Sequence, residues 1–473
     1  MARPRGIGMR PHAALYQGVA RHRPGCERFV GESCMMSMRA RVLTALAATL
    51  ASQPLAAQSP EPAVDEIPAP VRHVPLAAPL DAEAQAAVAG INAFSLDLYR
   101  RTLKTGENHF LSPASVSVAV GLAYRGARGE TAAELERVLR FGQPPREYLR
   151  ANAQILASMN FVGEGRELRT GNAIWLQDGI SLLPEYEADM ARFADAGLQR
   201  VDFQKNAETA RTRINGWVED RTRGKIRDLL LSPDVTDGTR AILVNTIYWK
   251  GLWAQGFDAA ATKSQVFETL AGEKPVIPLM TQRASFQIVE RKGIKAILLP
   301  YQGREIEMAV FVPNSREALP RFEAELTSEE LTRWLGDLQG GDFRDTILTL
   351  PKMRVEWRQD LVDTLKEVGA TTAFSDRADF SGMTSFPLPH EPESAGLKIR
   401  KVIHQAYLDV DEAGSEAAAA TAVIMDIVTS GRRGPPPPPP FIFRADKPFL
   451  FLLRDRRTGL ILFMGRYVAP SAG

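Results

Sequence analysis

The stretch "HQAYLDVDEAGSEAAAATAVIM", residues 404–425, decides how the rest of the chain is read. It opens with the alternation of a strand and continues into alanines. Alanine is the strongest helix former, so 416–425 taken alone reads as a helix. The alternation offers a second reading. Ser415, Ala417, Ala419, Thr421 and Val423 would share one face of a strand, with Glu416, Ala418, Ala420 and Ala422 on the other. All the first set are small or modest and uncharged. Such a segment is acceptable outside a sheet or within one, which is what a conformational switch requires. Asp409, Asp411 and Gly414 also match the opening of a calcium loop, but Ala413 and Ala420 stand where that loop needs oxygen ligands. A calcium site is therefore not expected. Downstream, "TSGRRG" leads into six prolines at 435–440, which read as a stiff solvated spacer.

Around this stretch lies a chain of 473 residues with 45% hydrophobic and 24% charged residues, ample for a large buried core. The net charge of +2 is skewed by the first 57 residues, which hold eight arginines against two glutamates. Without them the balance is 50 basic to 54 acidic, so nucleic acid is not an expected partner. Both cysteines, Cys26 and Cys34, fall in that early segment. The remainder can form no disulfide framework, cysteine metal site or cysteine nucleophile.

Residues 38–57, "MRARVLTALAATLASQPLAA", have a basic start, an apolar stretch and small residues before Gln58. That is the pattern of a signal peptide, and it predicts an extracellular or periplasmic protein. Its apolar part is too short for a permanent membrane helix, and no membrane association is expected. The boundaries expected are an extension with signal peptide over 1–57, a Pro/Ala-rich linker over 58–80 and one domain over 81–473.

The domain should begin helical and end in strands. Apolar residues at a 3.6 period predict a helix over 84–103. Ser112 suits an N-cap, with Pro113 just inside the next helix, and Gly126 and Gly129 suit its end. A helix over 130–141 capped near Thr131 follows, and another over 210–230 broken around Gly224. "TRAILVNTIYWKG" (239–251), "GIKAILLPY" (293–301), "EIEMAVFVP" (305–313) and "DTILTLPKMRVEW" (345–357) are dense in strand formers. "KPFLFLLRD" and "TGLILFMGRY" read as a buried hairpin. The sum is an α+β architecture with large sheets.

Catalytic chemistry finds little support. No nucleophile-elbow motif surrounds Ser112 or Ser115, and no phosphate loop or dinucleotide fingerprint occurs. His404 sits in a strand-like alternation and reads as a core histidine bonded to hydroxyls or amides. No metal-ligand spacing appears among the histidines, so neither metal nor cofactor is expected.

At this point several ordered blocks resemble the serpin family: "NHFLSPASVSVAVGLAYRGARGET", "INGWVEDRTRGKIRDLL", "LVNTIYWKGLWAQGFD", "ADFSGM", "HQAYLDVDEAGSEAAAAT" and "ADKPFLFLLRDRRTGLILFMGRYVAP". The resemblance runs from about residue 85 to 469. It implies three β-sheets, eight or nine helices and an exposed reactive loop at about 412–444. It implies a serine protease inhibitor consumed by its own reaction: one loop bond is cut, an acyl-enzyme forms, and the cut loop enters the main sheet as an extra strand, as strand addition does elsewhere. The other function this fold would allow is binding or chaperone work without inhibition. A monomer is expected.

By the same resemblance, Glu412, Gly414, Ser415, Glu416, Ala417, Ala418, Ala419, Ala420 and Thr421 form the hinge. Ser112, Ser115, Asn245 and His404 match the polar cluster under the sheet opening, and Trp253 matches the tryptophan beneath the point of loop entry. Counting from Glu412, the family spacing puts the bait at Val428, 16 positions on, and the scissile bond at Val428–Thr429. A medium aliphatic bait suits elastase-like proteases. The rivals are Arg432 and Arg433, which would suit trypsin-like ones. Here the chain departs from the family, since "SGRRG" and the prolines lengthen the segment before "KPF". Residues 415–428 extended span about 46 Å and 415–433 about 63 Å, so the shorter tether leaves less slack and favours Val428.

Overall fold

The computed structural model describes residues 79–163, 165–194, 197–385, 396–416 and 438–470. The chain divides into two units, Met1–Val64 and Asp65–Gly473, and all described residues belong to the second. The expected signal peptide, most of the linker and both cysteines lie outside them.

Nine α-helices occur among the described residues. In the first half these are α1 (Ala82–Thr102), α2 (Pro113–Gly126), α3 (Gly129–Leu139), α4 (Pro145–Ser158), α5 (Pro184–Phe193) and α6 (Phe203–Arg221). The rest are α7 (Ala318–Glu325), α8 (Ser328–Gly340) and α9 (Val362–Glu367). Strands β1 (His109–Leu111), β2 (Phe161–Gly163), β3 (Arg166–Gln177), β4 (Leu198–Val201) and β5 (Ala241–Leu252) come early. They are followed by β6 (Lys263–Val266), β7 (Val276–Arg291), β8 (Ile294–Pro300), β9 (Ile306–Pro313), β10 (Phe343–Pro351) and β11 (Met353–Asp360). The last are β12 (Val402–Val410), β13 (Gly414–Ser415), β14 (Phe441–Arg444), β15 (Phe449–Asp455) and β16 (Ile461–Tyr467).

These strands make the three sheets expected. One is seven-stranded, in the order β11-β12-β13-β5-β3-β2 with β4 beside β3. The other two share β7, which changes partners along its length. Residues 279–287 of β7 pair with β10, and 288–291 pair with β8. The strand therefore bends between a sheet holding β6, β10 and β14 and another holding β8, β9, β15, β16 and β1.

Local chemistry explains several elements. Asp81 Oδ1 accepts the Ala84 N–H at 2.8 Å and starts α1. Ser112 Oγ accepts the Ser115 N–H at 3.2 Å and starts α2, with Pro113 in the first turn as expected. Every residue of α2 is buried, so it serves as a core helix without a polar face. One apolar core fills the space between this helix and the sheets. A second lies on the other face of the seven-stranded sheet, where Ile214 and Trp217 of α6 meet Trp175, Ile242, Val244 and Ile403.

Four expectations need correction. α3 starts at Gly129 after Arg128, without a side-chain cap, because Thr131 Oγ1 instead accepts the Asp379 N–H at 2.9 Å. The helix expected over 210–230 is α6, which ends at Arg221. Positive φ at Arg223 and Gly224 turns the chain there, and 225–230 continue without helix. Residues 345–357 belong to two strands in different sheets, β10 and β11, parted at Lys352. The long central strand β3 was not foreseen, since Gly171 and Asn172 interrupt its apolar pattern.

Candidate functional site

Strands β5 and β12 lie side by side and parallel, but only in part. Val402 to Ala406 pair with Leu243 to Ile247, five residues on each side. Above that the two strands part, and β13 stands between them, antiparallel to both. Gly414 and Ser415 pair with Leu252 and Gly251 of β5, and Ser415 pairs with Val410 of β12.

A polar cluster sits under the closed part. His404 is buried, and its Nε2 accepts the Ser112 N–H at 3.0 Å. That acceptor role leaves the proton on Nδ1, which donates to Asn245 Oδ1 at 2.5 Å. Asn245 Nδ2 then donates to Ser115 Oγ and to Asn172 Oδ1, each at 2.5 Å. Ser112 Oγ donates to the Leu462 carbonyl at 2.6 Å. Complete burial holds the His404 imidazole at a pKa of about 3, so the ring is neutral. A neutral, fully engaged histidine beside a serine whose hydroxyl is already donated to a carbonyl is no nucleophile–base pair. The cluster instead pins α2 to two strands that must part if anything enters between them. Ser112, Ser115, Asn245 and His404 are brought together here. Asn172 completes the group and was missed, because it lies on the strand that sequence reading did not find.

The hinge residues are held from several sides. Asp411 Oδ1 accepts the N–H groups of Ala413 and Gly414 at 2.8 and 3.1 Å, forming the turn between β12 and β13. Gly414 has φ +157, and a Cβ there would lie 2.7 Å from the Leu252 Cα and closer still to the Gly251 carbonyl. Only glycine allows this approach of backbones. Ser415 is buried, and its Oγ is 2.6 Å from the Tyr301 hydroxyl. Trp253 stacks on Tyr301 with ring centroids 4.4 Å apart, and its indole N–H donates to the Asp411 carbonyl at 3.1 Å. Glu412 is clasped by Lys352 at 2.9 Å and by the Thr262 hydroxyl at 2.8 Å. Burial raises its pKa, but these partners outweigh that and leave the carboxyl below its ordinary value. Glu416 has φ +55 and turns the chain there, with Lys225 Nζ 3.1 Å from its carboxylate. Tyr301, Lys352 and Lys225 were missed, each contributed by an element distant in sequence.

Ala417, Ala418, Ala419, Ala420, Thr421, Val428, Thr429, Arg432 and Arg433 lie outside the described residues. Among the described residues, no cluster of His, Cys, Asp and Glu could hold a metal, and no helix is long and apolar enough to cross a membrane.

Residues 89–470 match the family model described as "Serpin (serine protease inhibitor)". An uncharacterized serpin-like protein of Methanosarcina mazei is 34% identical over 385 residues, covering 80% of this chain and 86% of that one. Leukocyte elastase inhibitor of Bos taurus is 33% identical over 385 residues, covering 80% and 97%. Among solved structures, a loop-inserted, cleaved ovalbumin mutant superposes with a TM-score of 0.70 at 26% identity, covering 81% of this chain and all of that one.

Proposed function

The chain belongs to the serpin family, and we propose that it is a single-use inhibitor of serine proteases. The observation that carries this reading is β13, which already stands between β5 and β12 in a register that can be continued. The parallel pairing fixes which residue of β12 faces which residue of β5, and Ser415 faces a matched pair. Continued one residue at a time, the same register would set Thr421 between Asn245 and His404, facing the polar cluster. Ala422 would then fall between Val244 and Ile403, under α6. Met425 would reach Ala241, where β5 begins.

The alternation agrees with that path. Ser415, Ala417, Ala419, Thr421, Val423 and Met425 would face α2, and none carries a charge. A charged residue or proline on that face would penalise entry. The target's serine oxygen attacks the Val428 carbonyl, the Val428–Thr429 bond breaks, and Thr429 leaves with a new amino terminus. The Val428 carbonyl is then the acyl group of the protease. Insertion separates the five closed pairs and gives the entering strand a partner on each side. It drags the acyl-enzyme across the sheet before water can reach the ester.

Val428 lies three residues past Met425, about 10 Å of extended chain, whereas Arg433 lies about 26 Å past it. A short tether presses the protease against the sheet end, and this supports Val428 over Arg432 or Arg433. An aliphatic bait fits an elastase-like target, the class named for the bovine relative. The segment 38–57 supports export, so the protein is proposed to act outside the cell or in the periplasm.

The test is incubation with elastase-type and trypsin-type serine proteases. An SDS-resistant complex and a released fragment beginning at Thr429 are expected, with the cleaved protein melting well above the native one. A stable complex with cleavage solely after Arg433 would refute the choice of bond. Steady cleavage by every protease without a complex would refute inhibition.

A further inference from the structure

The bend of β7 leaves a cleft of about 1060 Å³ on the side of the molecule next to Trp253. Its apolar wall includes Trp253, Phe286, Leu298, Leu299 and Phe343. Phe343 is 61% exposed and presents its ring at the edge of that wall.

The charges around the cleft do not balance. It is lined by two carboxylates and two guanidiniums, but both carboxylates are spoken for. Glu307 pairs with Arg454 at 2.6 Å, and Asp345 is held bidentately by Arg283 at 3.0 and 2.7 Å. Arg304 and Arg456 are exposed and form no ion pair among the described residues. They stand on adjoining turns, between β8 and β9 and between β15 and β16, which the Arg456 N–H ties together through the Glu305 carbonyl at 2.7 Å. The cleft therefore offers aromatic and aliphatic walls with two uncommitted guanidiniums. Its volume falls at the upper end of small-molecule sites.

We propose that this cleft binds a small organic acid with an apolar body. The carboxylate or sulfonate is taken by Arg304 and Arg456, whose planar donors suit such groups. The hydrocarbon or aromatic part lies against Phe286, Phe343 and Trp253. Trp253 also donates its backbone N–H to the Ala413 carbonyl at 2.9 Å, so its fluorescence reports occupancy beside the hinge. This binding is independent of protease inhibition and is tested without a protease.

Full-length protein is titrated with dodecanoate by calorimetry and by tryptophan fluorescence, and with dodecanol and dodecyltrimethylammonium as probes of equal chain length. Saturable binding at one site is expected for dodecanoate, at least tenfold tighter than for either control. The R304Q/R456Q double variant should lose at least tenfold in affinity with an unchanged circular dichroism spectrum, and Phe343→Ala at least threefold. Equal affinity for dodecanoate and dodecanol on the unaltered protein overturns the proposal, and so does an undiminished affinity in the double variant. The comparison of probes needs no variant, so a failure of the variants to fold would leave it standing as the test.

Discussion

Acid should loosen the sheet at His404, and the size of the effect follows from its burial. The ordinary imidazole pKa is about 6.5, whereas the buried ring is held at about 3. The closed sheet therefore binds fewer protons than any state in which water reaches the ring. Stability from this source is complete above about pH 6.5 and is lost as pH falls toward 3. At pH 5 the loss is about 1.5 pK units, or about 2 kcal/mol, equal to about thirtyfold in the opening equilibrium. His109 is also buried and held at about 3, first by burial and then by Arg466 and His404, so it adds a further loss in the same direction that is coupled to the first. His404→Gln isolates the first contribution. Its carbonyl oxygen can accept the Ser112 N–H and its amide can donate to Asn245, but it cannot titrate. Guanidinium unfolding at pH 7.5 and pH 5.0 should show the unaltered protein losing about 2 kcal/mol more than the variant. An equal loss in both would refute the placement of a neutral imidazole under the closed pairs.

Gly414→Val should drive β13 out of its slot, because the Cβ meets the Gly251 and Leu252 backbone; hydrogen exchange at the Ser415 amide should accelerate at least tenfold, and unchanged protection would contradict the packing. Tyr301→Phe leaves the Ser415 hydroxyl without its partner and should cost about 1–2 kcal/mol of hinge protection in the same measurement. Ala422→Asp places a carboxylate between Val244 and Ile403 in the proposed inserted state, at a cost of several kcal/mol. The variant should be cleaved as before yet yield little SDS-resistant complex, and a full yield would show that the register is wrong.

The fold was legible where pattern and partner lie close in sequence. The hairpin of β15 and β16, the capped start of α2 and the strand β5 each announce themselves by local chemistry. β3 did not, because its middle residues Gly171 and Asn172 serve cross-sheet needs. A Cβ at Gly171 would crowd Thr246 and Trp217, and Asn172 reaches Asn245. The polar cluster was legible through family blocks, but the reason His404 is neutral and bonded at both ring nitrogens was not. That reason depends on α2, β5 and β12 meeting at one point. Tyr301, Lys225 and Lys352 were invisible for the same cause: their importance comes from contact with a hinge 60 to 191 positions away.

The alanine run also gains a reason on each face. In the continued register, Thr421 meets a hydroxyl- and amide-rich patch on the α2 side, where a threonine can hydrogen-bond. On the opposite side the sheet is covered by α6, with Ile214 and Trp217 packed on Val244 and Ile403. A strand arriving under that helix must be thin, because close-packed interiors do not admit added volume without strain. In the proposed inserted state Ala418, Ala420 and Ala422 would supply that thinness, while Glu416 would stay at the open end, where Lys225 already receives it. Strand formers such as valine would improve local propensity but would wedge α6 from the sheet. Under the proposed insertion, a helix-forming residue at a strand's position would be a packing choice, and Ala422→Val at the most enclosed position should slow insertion without changing the charge of the loop. A stopped-flow measurement of complex formation that found Ala422→Val as fast as the unaltered protein would refute this account of the run.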